Sequence, residues 1–429
     1  MQPKLSAVAN DVIAPLEGIR PAPRCRFCDS PLEVTFADLG MSPPSNAYLR
    51  AEDLGRMEPF YPLHAYVCGH CFLVQLEAFQ TPAEIFGDYA YFSSYSDTWL
   101  AHARRYAEMA IARFDLGPES QVIEVASNDG YLLQYFLEAG IPVLGIEPAA
   151  NVAAVASGRG IPCLTRFFGV EVARELAAQG RQADLLIGNN VLAHVPDIND
   201  FVAGLAIALR PGGTITLEFP HLLQLIRNVQ FDTIYHEHFS YLSFLTVERI
   251  FAAHGLELYD VEELPTHGGS LRIYARHRGA PGVVGHAVGE MRMRERAAGL
   301  ENLATYRGFA QRVKIAKRGL LGFLIEAKFA GKRIAAYGAA AKGNTLLNYC
   351  GIRGDFIDYV VDRNPHKQGR FLPGTHIPIR HPDEVARTRP DYLLILPWNL
   401  KDEIMAQMAH VRSWGGKFVV PIPTTRVFA

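Results

Sequence analysis

The sequence predicts an α/β protein in three parts: a small N-terminal ribbon-like domain built around cysteines, a central parallel sheet covered by helices, and a smaller second α/β unit. Three observations carry this reading. Two C-x-x-C pairs, Cys25–Cys28 and Cys68–Cys71, hold four of the 6 cysteines. From about Gln121, short apolar runs alternate with helical segments, the pattern of strands buried on both faces. After a helix-rich stretch from Val288 to Phe329, the alternation starts again at Arg333. A chain of 429 residues, 49% hydrophobic, is also too long for one core.

Residues 1–20 show no clear period and read as a tail. The first domain, 21–85, contains strand-like runs at Leu32–Phe36, Tyr61–Val67 and Phe72–Leu76. A C-x-x-C knuckle points two thiolates at one place. Two knuckles therefore make a tetrahedral four-thiolate site, with Cys25, Cys28, Cys68 and Cys71 as ligands of a structural zinc. The interval between the pairs exceeds the usual ribbon spacing, which requires a loop around Met41–Leu49. His64 and His70 lie nearby, but four thiolates already close the site. A redox dithiol fits poorly, because neither pair opens a helix after a strand.

The second part, 86–285, has strands at Gln121–Ala126, Pro142–Glu147, Ala183–Gly188, Gly213–Glu218 and Leu271–Ala275, with helices at Tyr131–Ala139 and Phe201–Leu209. The turn Glu124-Val-Ala-Ser-Asn-Asp-Gly130 follows the first strand, where a nucleotide-type ligand meets backbone amides and a helix N-terminus. Glu147 ends the second strand about twenty residues on, the place of an acid that receives ribose hydroxyls. No G-x-G-x-x-G cradles a pyrophosphate, so an adenosyl ligand without phosphates fits better than a dinucleotide. Candidate cofactor contacts are Glu124, Ser127, Asn128, Asp129, Gly130 and Glu147, joined by Asn189 and Asn190 at the end of the next strand. His194 follows on the same rim.

The third part, 286–429, has strands at Arg333–Tyr337, Phe356–Val361, Asp391–Leu396 and Lys417–Val420. The run Gly338-Ala-Ala-Ala-Lys-Gly-Asn344 reads as a phosphate-tolerant turn, with Lys342 and Asn344 as contacts. Asp362 ends the next strand where a ribose-binding acid would sit, and Trp398 follows another strand on the same side. A net charge of -2 gives no electrostatic reason to expect nucleic acid or an anionic membrane as partner. The N-terminus lacks an apolar h-region, and no stretch approaches the roughly 18 apolar residues of a membrane span. The expectation is a soluble cytoplasmic protein, its oligomeric state left open.

One segment concentrates chemistry: Tyr235-His-Glu-His-Phe-Ser-Tyr241. If extended, it sets Tyr235 and Glu237 on one face and His236 and His238 on the other. If it turns, Tyr235 and His238 come together. Its residues suit a metal site, a hydrogen-bonded core cluster or a catalytic centre.

The cysteine pairs, EVASNDGYLL, Glu147, NNVLAHVPD and YHEHFSYLS stand in one order. Together they resemble the S-adenosylmethionine-dependent C-methyltransferases that act on nucleotide-linked 4-keto deoxysugars. The resemblance runs from Cys25 to Val419 and includes Asp88–Tyr95, His267–Ser270 and Tyr337–Asn344. It implies a zinc-bearing first domain, a central class I (Rossmann-like) methyltransferase domain for S-adenosylmethionine, and a Rossmann-like C-terminal domain that holds the sugar nucleotide.

Methylating carbon needs a nucleophile that the carbon lacks. Removing a proton beside a ketone supplies one, as an enolate. The protein must contribute a base that works near neutral pH and donors for the oxyanion. By resemblance His238 is the base, Tyr235 faces the keto oxygen, and Glu237 orients a histidine or holds a hydroxyl. Tyr89 and His194 complete the catalytic set, while Tyr91, Ser94, Tyr95 and Ser270 contact substrate. C3 is the favoured carbon and C5 the alternative. Transfer to a sugar oxygen or nitrogen, or an inactive interaction protein, are the rival readings. Ala126 departs from the pattern, since methyltransferases often have glycine there, and is expected to keep a negative φ.

Overall fold

The computed structural model describes residues 23–86, 93–95 and 97–429. In the first domain, β1 (Val34–Ser42), β2 (Tyr61–Val67) and β3 (Val74–Leu76) form an antiparallel sheet. Alternation in β2 buries Leu63, Ala65 and Val67, as a sheet with one wet face requires. A fourth strand, Ser240–Tyr241, comes from far along the chain and pairs antiparallel with β3. The segment YHEH therefore leads directly into the sheet of the cysteine domain.

The central sheet contains β4 (Val122–Val125), β5 (Val143–Ile146), β6 (Cys163–Leu164), β7 (Ala183–Asn189) and β8 (Leu209–Pro220). After the strand Ser240–Tyr241, here β9, come β10 (Leu256–Leu264) and β11 (Ser270–His277). The order is β10-β11-β8-β7-β4-β5-β6, parallel from β8 to β6 and antiparallel at the β10–β11 edge. β4 lies between β5 and β7, so the strand order reverses at its carboxyl end. Ligands of open α/β sheets bind in such a crevice. β10 is an edge strand rich in charge, its Glu257 and Glu262 paired with Arg276 and Arg272, which hides it from a search for apolar runs.

The last sheet comprises β12 (Ile334–Tyr337), β13 (Val360–Val361), β14 (Ile379–Arg380), β15 (Tyr392–Ile395), β16 (Lys417–Val420) and β17 (Arg426–Phe428). Its order is β14-β13-β12-β15-β16-β17, parallel except for β17. The helix Phe309–Phe329 crosses to the first domain, where Phe36 stacks on Phe309 at 4.4 Å and meets Tyr306 edge-on. One apolar core runs from Phe36 and Leu63 through Ile234 and Leu320 to Leu346 and Leu394. The three parts thus share packing, and the seam between them holds the polar residues described next.

Candidate active site

The turn after β4 is left-handed three times, at Ala126 (φ 57°), Asn128 (φ 50°) and Gly130 (φ 78°). The expected negative φ at Ala126 is therefore corrected. The amides of Ala126 and Ser127 both donate to the carbonyl of Ile146, and closing the loop on that single acceptor forces the backbone over. A side chain at Gly130 is strained by its φ of 78°, and its Cβ would lie 2.3 Å from the Ile161 Cδ1. Gly130→Ala is expected to cost about 2 kcal/mol of stability and to weaken S-adenosylmethionine binding, checked by denaturant unfolding and calorimetric titration.

Glu147 sits at the end of β5 and accepts from the amides of Asn128 (3.0 Å) and Ala149 (2.9 Å). Glu124 is fully buried, and neither of its oxygens has a hydrogen-bond partner of normal geometry, although the Tyr131 hydroxyl faces it. Burial pushes both carboxyls above their usual range. Asp129 Oδ1, Asn189 Oδ1 and Asn190 Oδ1 are also buried without partners among the described residues. These orphaned acceptors line the crevice at β4 and β7. They match the ammonium, ribose hydroxyls and exocyclic amine of an adenosyl amino acid, so the residues present fit S-adenosylmethionine. Ser94 donates through Oγ to Asp129, Ser93 N donates to Asn128 Oδ1 (2.8 Å), and Arg159 bridges Ser94 and the Asp129 carbonyl.

The YHEH segment turns. His238 N donates to the Tyr235 carbonyl (2.9 Å), and the two rings lie 4.0 Å apart. His238 Nδ1 is 2.9 Å from the carbonyl of Thr233. A carbonyl only accepts, so Nδ1 carries the hydrogen and Nε2 keeps its lone pair. His194 is fixed in the same way, with Nδ1 2.8 Å from the carbonyl of Glu237, and its ring meets His238 edge-on at 4.7 Å. Burial lowers His194 to about 4. Burial and then His194 hold His238 well below the ordinary histidine range. Both imidazoles are neutral at neutral pH.

The Glu237 carboxyl reaches neither histidine. It accepts from Asn46 Nδ2 (2.6 Å) in the first domain, and its backbone carbonyl orients His194. His236 turns the same way, with Nε2 3.2 Å from the carbonyl of Pro62. Burial raises the Glu237 carboxyl to about 7. The folded chain then keeps a proton that the unfolded chain releases near 4.3, so between those values stability falls as pH rises. Glu237→Gln is expected to shrink the stability difference between pH 5 and pH 7.5, measured by urea unfolding at each pH.

A second polar group faces these histidines. Asp232 is fully buried, accepts from Trp398 Nε1 (2.7 Å) through Oδ2, and leaves Oδ1 unpartnered; burial raises its pKa to about 6. Lys342 is half-buried at the start of the helix Ala341–Cys350, 2.7 Å from Asn399 Oδ1 and over the Trp398 ring. It bears electrostatically on Asp232, His238 and His267. Asp232 and Trp99 were not singled out from the sequence, and His267 entered only as the first residue of the stretch His267–Ser270 in the resemblance, with no role assigned. For Asp232 the available signal was that it stands just ahead of YHEH.

Other expected contacts lie elsewhere. Asn344 is buried and donates to the Ser45 carbonyl (2.6 Å), which places it in the seam with the first domain. Asp362 braces the turn after β12 by accepting from Ala339 N (2.8 Å). Ser270 is buried and donates to the Thr266 carbonyl (3.0 Å). Tyr95 is exposed and stacks on His366. Tyr89 and Tyr91 lie outside the described residues.

The Sγ atoms of Cys25, Cys28, Cys68 and Cys71 all lie within 4.8 Å of one another, the pairs Cys25–Cys71 and Cys28–Cys68 at 3.5 Å. A tetrahedron of thiolates around zinc has edges of about 3.8 Å for Zn–S bonds near 2.3 Å, so the donor set fits zinc. Asp29 (φ 58°) and Phe72 (φ 64°) follow the two knuckles in the same left-handed conformation, and Gln75 Nε2 donates to Cys25 Sγ. His64 stands apart, bonded to Thr35.

Family models match in the same three pieces: "Putative zinc binding domain" over 25–86, "Methyltransferase domain" over 99–261 and "C-methyltransferase C-terminal domain" over 265–423. The C-methyltransferase NovU of Streptomyces niveus is 37% identical over 414 residues, covering 96% of this chain and 98% of its own. A ubiquinone biosynthesis O-methyltransferase of Methylobacterium sp. (strain 4-46) is 30% identical over 122 residues, 27% of this chain and 48% of its own. Among solved structures, the PH0226 protein of Pyrococcus horikoshii OT3 is 13% identical, covers 47% of this chain and 100% of its own, and has a TM-score of 0.37. Among the described residues, no helix is long and apolar enough to cross a membrane. The end-to-end match to NovU, the three domain models and the adenosyl-type crevice beside a four-thiolate zinc site lead to one conclusion: the chain belongs to the S-adenosylmethionine-dependent C-methyltransferases.

Proposed function

We propose that the enzyme methylates a carbon next to the ketone of a nucleotide-linked 4-keto deoxysugar, C3 in preference to C5. The observation that carries this reading is the tautomer of His238. Its Nδ1 is engaged by the Thr233 carbonyl, leaving a neutral Nε2 as base in a recess shared with Tyr235 and His194. S-adenosylmethionine, when bound, supplies a methyl group already activated on its sulfonium. The chain does the rest. His238 Nε2 takes the proton from the carbon, the Tyr235 hydroxyl faces the oxyanion, and His194 packs against His238 to hold it in place. The resemblance adds Tyr89 to this set, with Tyr91, Ser94 and Tyr95 toward the substrate.

Asp232, Lys342 and Trp398 form the wall against the sugar. The diphosphate is assigned to the turn after β12, where Asp362, Lys367 and Tyr48 all fix Ala339 ahead of the helix Ala341–Cys350. A nucleotide-linked substrate and a four-thiolate zinc site both suit the cytoplasm. The test is mass spectrometry of a panel of 4-keto-6-deoxy sugar nucleotides incubated with enzyme and S-adenosylmethionine. Gain of one methyl on at least one keto sugar, and none on the matching 4-hydroxy sugars, supports the reading. Equal methylation of 4-hydroxy sugars overturns it.

A further inference from the structure

The turn Thr266–Gly269 is strained, at the carboxyl end of the central sheet. His267 adopts φ 53°, ψ 17°, a left-handed conformation uncommon outside glycine, with histidine, asparagine and aspartate the usual exceptions. Gly268 and Gly269 follow at φ 92° and 116°. A Cβ on Gly268 would lie 2.4 Å from the Trp398 ring, and one on Gly269 2.7 Å from Gln224. Such strain persists only where neighbouring contacts over-determine it, and here they do. Thr266 Oγ1 donates to Glu218 (2.7 Å), Gln230 Nε2 to the Gly268 carbonyl (2.8 Å), and His221 N to the Gly269 carbonyl (3.0 Å). Glu218 is held in turn by His102 and Arg272.

These contacts fix the backbone that carries the His267 imidazole. It stands edge-on to Trp99 at 5.5 Å, and Trp99 stacks on Tyr131 of the cofactor turn. Its Nε2 is buried with no hydrogen-bond partner among the described residues, a costly arrangement unless a partner arrives. Gly268 packs on Trp398, the ring that carries Lys342 and holds Asp232. The imidazole therefore lies between the cofactor crevice and the wall assigned to the sugar.

We propose that His267 is a second catalytic imidazole, its Nε2–H donating a hydrogen bond to the keto oxygen while His238 removes the proton from the neighbouring carbon. This rests on the carbon-acid reading above. The C–H electron pair becomes the carbon–carbon double bond and the carbonyl π pair moves to oxygen, where His267 meets it without giving up its proton. The double-bond pair then attacks the methyl carbon, the C–S pair stays on sulfur, the ketone re-forms, and His238 passes its proton to solvent. His238 has its lone pair free for the base role. Burial, then the Lys342 cation, lowers His267 to about 4, so its imidazole stays neutral.

His267→Asn tests this, because asparagine accepts the left-handed backbone and should preserve the turn. The variant is expected to lose about 10²-fold in kcat, while S-adenosylmethionine affinity, melting temperature and sugar KM stay within about threefold or a few degrees of wild type. A kcat within about threefold of wild type would overturn the assignment. So would a loss of kcat that tracks a loss of cofactor affinity and melting temperature, since the turn would then be only structural. If wild type itself methylates no keto sugar, the carbon-acid reading falls and this inference falls with it.

Discussion

His238→Asn is expected to lower methyl transfer by about 10³-fold while leaving S-adenosylmethionine affinity and melting temperature near wild type. Asparagine can still donate to the Thr233 carbonyl that holds Nδ1, so the turn should survive. It has no lone pair able to take a proton at neutral pH. The Glu237 carboxyl cannot substitute, because it is turned to Asn46. Steady-state kinetics beside calorimetric titration of the cofactor separates the terms. Activity within about tenfold of wild type would place the base elsewhere.

Zinc removal is the second large effect. Binding of structural zinc by four thiolates contributes on the order of 10 kcal/mol in small zinc domains, and here the domain is also a wall of the YHEH turn. β3 pairs with Ser240–Tyr241, Asn46 holds Glu237, the Pro62 carbonyl holds His236, and Arg26 lies over Phe239. Cys68→Ser, or exhaustive chelation, is expected to lower the melting temperature by more than about 10 °C and to abolish turnover in the same titration. Zinc content by plasma emission, melting temperature and activity should fall together. Metal-free protein that keeps its melting temperature and its rate would show the domain to be independent of the site.

Much of this architecture was legible because local signals state it. Paired cysteines declare a zinc knuckle, four- to six-residue apolar runs declare strands buried on both faces, and acids at Glu124 and Glu147 mark strand ends. Non-local choices were not legible. The segment YHEH reads equally as strand or turn, and the tertiary bonds of Glu237 to Asn46 and His236 to the Pro62 carbonyl accompany the turn that is found. The pairing of Ser240–Tyr241 with β3 joins residues far apart in sequence, and no periodicity announces it. Ala126 adopts φ 57° because two amides close on one carbonyl, a tertiary demand that overrides the residue's own preference. Lys342 and Asn344 are two positions apart on one helix, yet one meets Trp398 and the other the Ser45 carbonyl. Spacing alone gave both the same role.

The central claim is that methyl transfer proceeds through loss of a proton from a carbon flanking the ketone. The measurement that addresses it most directly is NMR of the product formed with ¹³C-methyl S-adenosylmethionine from a keto sugar deuterated at both flanking carbons. The account predicts the labelled methyl bonded to a flanking carbon that has lost its deuteron, with the other deuteron in place. A methyl on oxygen, nitrogen or a carbon remote from the ketone, with both deuterons retained, would contradict it.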